Sequence, residues 1–195
     1  MIDQIEMMKT IEKLRGDAVV VPVFRANIAW AKVTNNVKRD VPAPGAMGKG
    51  SSFALGVALA QPNTKVILFD GDGSLLMNLG SLVTIANKAP KNLYHFVMDN
   101  GVYATTGGQD VPGVGLTEYA DLAKAAGYPH AYEFDNLEDF VTRAEEIFNQ
   151  EGPVFVTARV IPDIRQPDER ANMRGSMRRT PEAVLDLMEE FAVAR

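Results

Sequence analysis

Apolar residues recur along this chain with two periods. Ile2, Ile5, Met8, Ile11 and Leu14 share one helical face and the pattern stops at Gly16, which predicts an opening amphipathic helix. Short, continuous, largely β-branched runs predict buried strands at Ala18–Val23, Lys65–Phe69, Leu93–Met98 and Val154–Val160, with a shorter one near Ala131–Phe134. Between them, helical spacing predicts helices at Ser51–Ala60, Asn78–Lys88, Thr117–Ala126 and Leu137–Asn149. Thr117 is placed to cap the third of these, and Thr180-Pro181 to start a closing helix that ends near Phe191. Continuous apolar strands separated by helices imply an α/β chain, a three-layer α/β/α arrangement around a mainly parallel sheet. The chain shows no internal repeat and no low-complexity tract, so residues 1–195 read as a single domain. One stretch, Ile164–Arg179, departs from the pattern and carries Arg165, Arg170, Arg174, Arg178 and Arg179. It reads either as a solvated linker or as a lid or subunit contact.

Composition narrows the function classes. With 46% hydrophobic and 23% charged residues the chain is too apolar for disorder. Its 20 basic against 25 acidic residues leave a net charge of −5, which argues against a nonspecific nucleic-acid binder. The absence of cysteine removes disulfides, thiolate metal sites, a cysteine nucleophile and any iron–sulfur cluster held by this chain. No apolar run approaches the roughly 20 residues of a membrane span, and the mixed charge of residues 1–13 is unlike a signal peptide. A cytoplasmic protein without membrane contact is the expectation.

Candidate chemistry gathers in three glycine-rich loops, Gly45–Gly50, Gly71–Ser74 and Gly101–Gly108. In parallel sheets ligands bind at such loops, beyond the carboxyl ends of the strands. Taken alone, Asp70-Gly71-Asp72-Gly73-Ser74 is an ordinary turn sequence. It lacks the Lys-Ser/Thr of a nucleotide phosphate loop and the G-x-G-x-x-G of a dinucleotide site. Asn100 changes its meaning, because it lies 28 positions beyond Asp72 at the end of the next predicted strand. A carboxylate and an amide oxygen from adjacent strand ends suit Mg²⁺, with coordination positions left for phosphate oxygens and water.

At these residues the chain resembles the thiamine diphosphate-dependent enzymes, whose cofactor motif runs from GDG through a helix and a strand to an asparagine. The resemblance implies their diphosphate-binding (PP) fold, with thiamine diphosphate and Mg²⁺ as cofactors. Asp72 and Asn100 would ligate the metal by side chain and Val102 by its carbonyl. Gly73 and Ser74 would donate to the diphosphate, with Gly71 and Tyr103 completing the cofactor-binding set. Gly45-Ala46-Met47-Gly48 is similar to the segment beneath the cofactor's bent waist. There the Gly45 carbonyl would accept from the 4′-amino group and Met47 would wedge between the two rings. On its own, Met47 reads equally as core filler.

The resemblance covers only one of the two domains such enzymes need. No glutamate here matches the motif that activates the aminopyrimidine ring, which implies a separate pyrimidine-binding α subunit and an α/β heteromer. The runs Gly71–Gly80 and Asp99–Gln109 are most similar to the sulfopyruvate and phosphonopyruvate decarboxylases of the family. That implies non-oxidative decarboxylation of a small anionic 2-oxo acid of three carbons, giving an aldehyde. An acetolactate synthase-like carboligase subunit and a non-catalytic cofactor-binding subunit are the alternatives. Besides Met47, the candidate catalytic residues are Thr106, where some decarboxylases of the family place a glutamate, and Gln109. Thr105 and Thr106 either face substrate or merely cap a turn. Arg25, where related chains offer a small or hydroxyl residue, is either an anion contact or ordinary surface. His95, mid-strand, reads as a packing residue, and His130 as a surface one.

Overall fold

Strand residues of alternating orientation build two cores on the two faces of one sheet. The computed structural model describes residues 1–43, 45, 47–164 and 178–192. In chain order over these residues the helices are α1 (Gln4–Leu14), α2 (Phe24–Trp30), α3 (Gly50–Ala60), α4 (Asp72–Leu76), α5 (Ser81–Lys88), α6 (Tyr119–Ala126), α7 (Leu137–Asn149) and α8 (Thr180–Glu190). The strands are β1 (Val19–Pro22), β2 (Val66–Gly71), β3 (Leu93–Asp99), β4 (Val102–Tyr103), β5 (Gln109–Asp110), β6 (His130–Phe134) and β7 (Val154–Arg159). Five of them form a sheet in the order β1-β2-β3-β7-β6, with every neighbouring pair parallel.

On one face Val20, Ile67, Phe69, Tyr94, Phe96, Met98, Val154 and Val156 pack with residues of α1, α2 and α7. On the other, Val19, Val21, Val66, Leu68, Leu93, Val97 and Phe155 pack with α3, α5, α6 and α8. β1, β2, β3 and β7 are buried on both faces, which is why their sequences read as continuous apolar runs instead of alternating ones, while the edge strand β6 is only half-buried. The α/β/α layering expected from the sequence is the observed one.

Local differences have local causes. The opening helix starts at Gln4, because the Asp3 carboxylate caps it by accepting from the Ile5 and Glu6 N–H groups. Ile2 instead pairs with Val160 in a parallel bridge, laying the N-terminus along the end of β7. Thr117 is not the cap of α6. Its N–H closes a turn onto the Gly113 carbonyl, and the helix begins two residues later after Glu118, without a side-chain cap. Thr180 is itself the first helical residue of α8, and its hydroxyl donates to the Pro42 carbonyl at 2.6 Å. The helix expected at Asn78–Lys88 begins at Ser81, and the separate α4 precedes it. Within Ile164–Arg179, residues 165–177 lie outside the described residues. At its end Arg178 donates to the Val37 and Asp40 carbonyls and pairs with Asp186. No helix among the described residues is long and apolar enough to cross a membrane.

Candidate cofactor and metal site

The carboxyl ends of β1, β2 and β3 open onto a cavity of about 300 Å³. Residues from all three loops line it: Met47 from the first, Gly71–Ser74 from the second, and Asn100, Val102, Tyr103, Thr105 and Thr106 from the third. Gly45 and Gln109, singled out in the sequence, are not among the lining residues; both are exposed.

Asp72 is the centre of this arrangement. It follows β2 directly and is 3% exposed. Its Oδ1 accepts from the Gly73 N–H at 2.8 Å and its Oδ2 from the Gly101 N–H at 2.7 Å, so one carboxyl group joins the ends of two adjacent strands. Gly101 takes a positive φ of 71°, which aims its N–H back at Asp72. No ion pair reaches Asp72 among the described residues. Burial pushes its pKa up to about 7; the two backbone hydrogen bonds oppose that shift and the neighbouring Asp99 carboxylate adds to it. Behind it, burial and the Asp72 and Asp99 charges hold the Tyr119 phenol well above its ordinary pKa, so it stays neutral.

The surrounding donors and acceptors are only partly used. Asn100 Oδ1 accepts from the Val102 N–H at 2.9 Å. Ser74 Oγ accepts from the Gly48 N–H at 3.1 Å, and Asn78 donates to the Gly48 carbonyl at 2.8 Å, stitching the first glycine loop to the second. A hydroxyl that accepts in this way still has its own proton to donate. The Gly73 N–H is already committed to Asp72, so of the two residues expected to donate to a diphosphate, Ser74 has the free proton. A Cβ at Gly73 would lie 2.4 Å from Tyr103 Cε1, so glycine here allows the two loops to close on each other.

Thr106 Oγ1 bonds to the Tyr103 carbonyl at 3.3 Å and to Gln109 Oε1 at 3.0 Å, while Gln109 Nε2 returns to the Thr106 carbonyl at 3.2 Å. These bonds close the β4–β5 hairpin, in keeping with the turn-capping reading of Thr106, although Thr106 also lines the cavity. His95 is fully buried, with Nδ1 3.3 Å from the Tyr128 hydroxyl and Nε2 3.9 Å from Asp70 Oδ2, as expected of a packing residue. His130 opens β6 and is half-buried.

One wall of the cavity was visible in the sequence only at Arg25, singled out there as an anion contact or ordinary surface. Val23, Phe24, Arg25 and Ala26 line it from the start of α2, together with Gln4 from the start of α1. Phe24 has a positive φ of 45° and Val23 offers no side-chain cap, so no sequence signal marks the entry of α2. Asp99 was visible only as the neighbour of Asn100.

These residues fit a hard cation with a phosphate-bearing ligand. Asp72 is a buried carboxyl with no ion-pair partner among the described residues, and it lies beside the amide oxygen of Asn100, a donor set that suits a hard cation. No group of three or more His, Cys, Asp or Glu side chains converges among the described residues. A cation at Asp72 would therefore draw its other ligands from amide and carbonyl oxygens and from the ligand's own oxygens.

Comparison with known proteins bears on the same residues. The profile of the C-terminal TPP binding domain of thiamine pyrophosphate enzymes matches residues 29–158. The sulfopyruvate decarboxylase subunit beta of Methanothermobacter thermautotrophicus is 35% identical over 168 residues, covering 83% of this chain and 84% of that one. The phosphonopyruvate decarboxylase of Streptomyces hygroscopicus is 43% identical over 115 residues, which cover 57% of this chain and only 27% of that protein. Among solved structures, the benzoylformate decarboxylase of Polynucleobacter necessarius superposes with a TM-score of 0.69 at 20% identity, over 83% of this chain and 33% of that one. That likeness shows the fold.

Proposed function

Because this chain belongs to the family of the C-terminal TPP binding domain of thiamine pyrophosphate enzymes, we propose that it is the diphosphate-binding subunit of a 2-oxo acid decarboxylase. Its substrate is a small anionic 2-oxo acid of the sulfopyruvate or phosphonopyruvate kind. The observation that carries this reading is Asp72, a buried carboxyl with no ion pair among the described residues, which bridges Gly73 and Gly101 beside Asn100.

Asp72, Asn100 and the Val102 carbonyl would hold Mg²⁺, and the Ser74 hydroxyl would donate to the diphosphate. Bound there, the cofactor supplies the electron sink that lets CO₂ leave a 2-oxo acid. Met47 lines the same cavity and would support the cofactor's bend. Tyr103 and Thr106 face the cavity where substrate would enter. The activating glutamate comes from a pyrimidine-binding partner subunit, in keeping with the name "subunit beta" of the Methanothermobacter relative.

The test is product analysis with the chain co-expressed alongside a pyrimidine-binding partner and supplied with thiamine diphosphate, Mg²⁺ and 3-sulfopyruvate or phosphonopyruvate. Aldehyde and CO₂ in equal amounts are expected. An acyloin as main product would make the chain a carboligase subunit, and cofactor binding without consumption of either acid would make it non-catalytic.

A further inference from the structure

Two buried nitrogen donors, without partners among the described residues, line the edge of the same cavity. Gln4 is the first residue of α1 and Arg25 the second of α2, and the Ile2–Val160 bridge brings the start of α1 alongside residues 161–163. Gln4 and Arg25 line both the cavity and an adjoining depression of about 290 Å³, so they stand where the two join. Gln4 Nε2 and Arg25 Nε are each buried with no hydrogen-bond partner among the described residues. One terminal nitrogen of Arg25 pairs with Asp163 at the rim, which orients the guanidinium, whose side chain is only 16% exposed. Buried donors are nearly always satisfied, and two left open at one junction point to an acceptor that the protein takes up.

Charge says what kind of acceptor. Arg25 is the one Lys or Arg lining the cavity among the described residues, against Asp70 and Asp72. A diphosphate and a carboxylate together carry more negative charge than one divalent cation cancels, and so does a metal-bound diphosphate beside an anionic substrate. A guanidinium with an open Nε, next to a carboxamide N–H, matches the oxygens of a tetrahedral phosphoryl or sulfonyl group.

We propose that Arg25 and Gln4 form a metal-free oxyanion subsite at the rim of the cavity, which takes either the outer phosphoryl group of the cofactor or the anionic head group of the substrate. The proposal rests on the reading that the cavity holds a diphosphate and deepens it. Both sources offer the same oxygens, and the experiment separates them.

Inorganic pyrophosphate without Mg²⁺ is titrated calorimetrically into the full chain and into R25M, R25K and Q4L, each first shown to melt cooperatively. Kinetics of the complex with its partner then give KM for cofactor and for substrate separately. A cofactor subsite predicts a pyrophosphate Kd and a cofactor KM raised at least tenfold in R25M, less in R25K and Q4L, with substrate KM unmoved. A head-group subsite predicts a tenfold rise in substrate KM alone. Cofactor and substrate constants both unchanged in R25M and Q4L would overturn the subsite. Were the diphosphate reading itself wrong, the wild-type chain would bind no thiamine diphosphate with Mg²⁺ present, an outcome independent of Arg25 or Gln4.

Discussion

Asp72 Oδ2 accepts the Gly101 N–H at 2.7 Å, across two adjacent strand ends. The bond places the carboxyl of one glycine-rich loop within the turn that presents Asn100 and Val102 from the other. Two segments joined through α4, α5 and β3 thereby become one site, and each feature of that joint has a measurable consequence.

Closure depends on Gly73. An alanine there would drive its Cβ into the Tyr103 ring, 2.4 Å from Cε1, and push the third loop away from the second. Gly73→Ala is expected to weaken Mg²⁺-dependent cofactor binding on the order of tenfold, equivalent to about 1.4 kcal/mol, with the fold retained. Adding Gly73→Ala to a Tyr103→Ser background should cost little more than Tyr103→Ser alone. Equal losses in both backgrounds, by calorimetry, would show that the clash is not the cause.

Binding of the metal should be coupled to protons. With the metal-free pKa of Asp72 pushed up to about 7 by burial, the proton competes with the cation below that pH. Mg²⁺ affinity is expected to fall as pH drops from 8 to 6, with proton release measurable from the buffer dependence of the binding heat. The same shift works oppositely on the metal-free fold. Asp72 ionises near 3.8 when unfolded and near 7 when folded, so its contribution to stability is full below about 4 and is lost as pH rises to about 7. A pH-independent Mg²⁺ affinity between 6 and 8 would refute the coupling.

His95 belongs to the support beneath the site. Its ring contacts Phe155 edge-on and faces Tyr128 and Asp70, all buried. Asp70 in turn accepts the Gly71 N–H at 2.9 Å. Removing the ring leaves a cavity and a more isolated carboxylate, so His95→Ala should cost about 3 kcal/mol by urea denaturation. An unchanged midpoint would show that the buried polar cluster is dispensable.

Much of this was legible from the sequence because the parallel strands announce themselves. Val66–Phe69 and Leu93–Met98 are buried on both faces, and their apolar runs end where the chemistry starts. Asp72 and Asn100 could be paired from spacing alone, since adjacent parallel strands put their carboxyl ends together. Apart from Arg25, the wall formed by α2 was not legible. Its entry depends on a left-handed Phe24 and an uncapped first turn, which tertiary packing sustains without a local signal. The cap of α6 was misplaced for a related reason. Thr117 is a good cap by residue type, but the Gly113 turn claims its backbone first. The raised pKa of Asp72 was equally hidden, because it arises chiefly from burial that only the folded loops create, with Asp99 adding to it.

Catalysis should require a second polypeptide. The full chain alone is expected to turn over neither 3-sulfopyruvate nor phosphonopyruvate with cofactor and Mg²⁺ present. Activity should appear on reconstitution with a pyrimidine-binding partner and vanish when the partner's activating glutamate becomes glutamine. Sustained turnover by this chain alone would place the activating group within it.

If Asp72 holds a metal that in turn holds a diphosphate, cofactor binding must depend on both. Calorimetric titration of thiamine diphosphate into the reconstituted complex, with and without Mg²⁺, tests it on wild type and Asp72→Asn. Saturable, Mg²⁺-dependent binding is expected in the wild type, with its loss in an Asp72→Asn variant that still melts cooperatively. Undiminished binding in that variant, or wild-type binding indifferent to Mg²⁺, would contradict it.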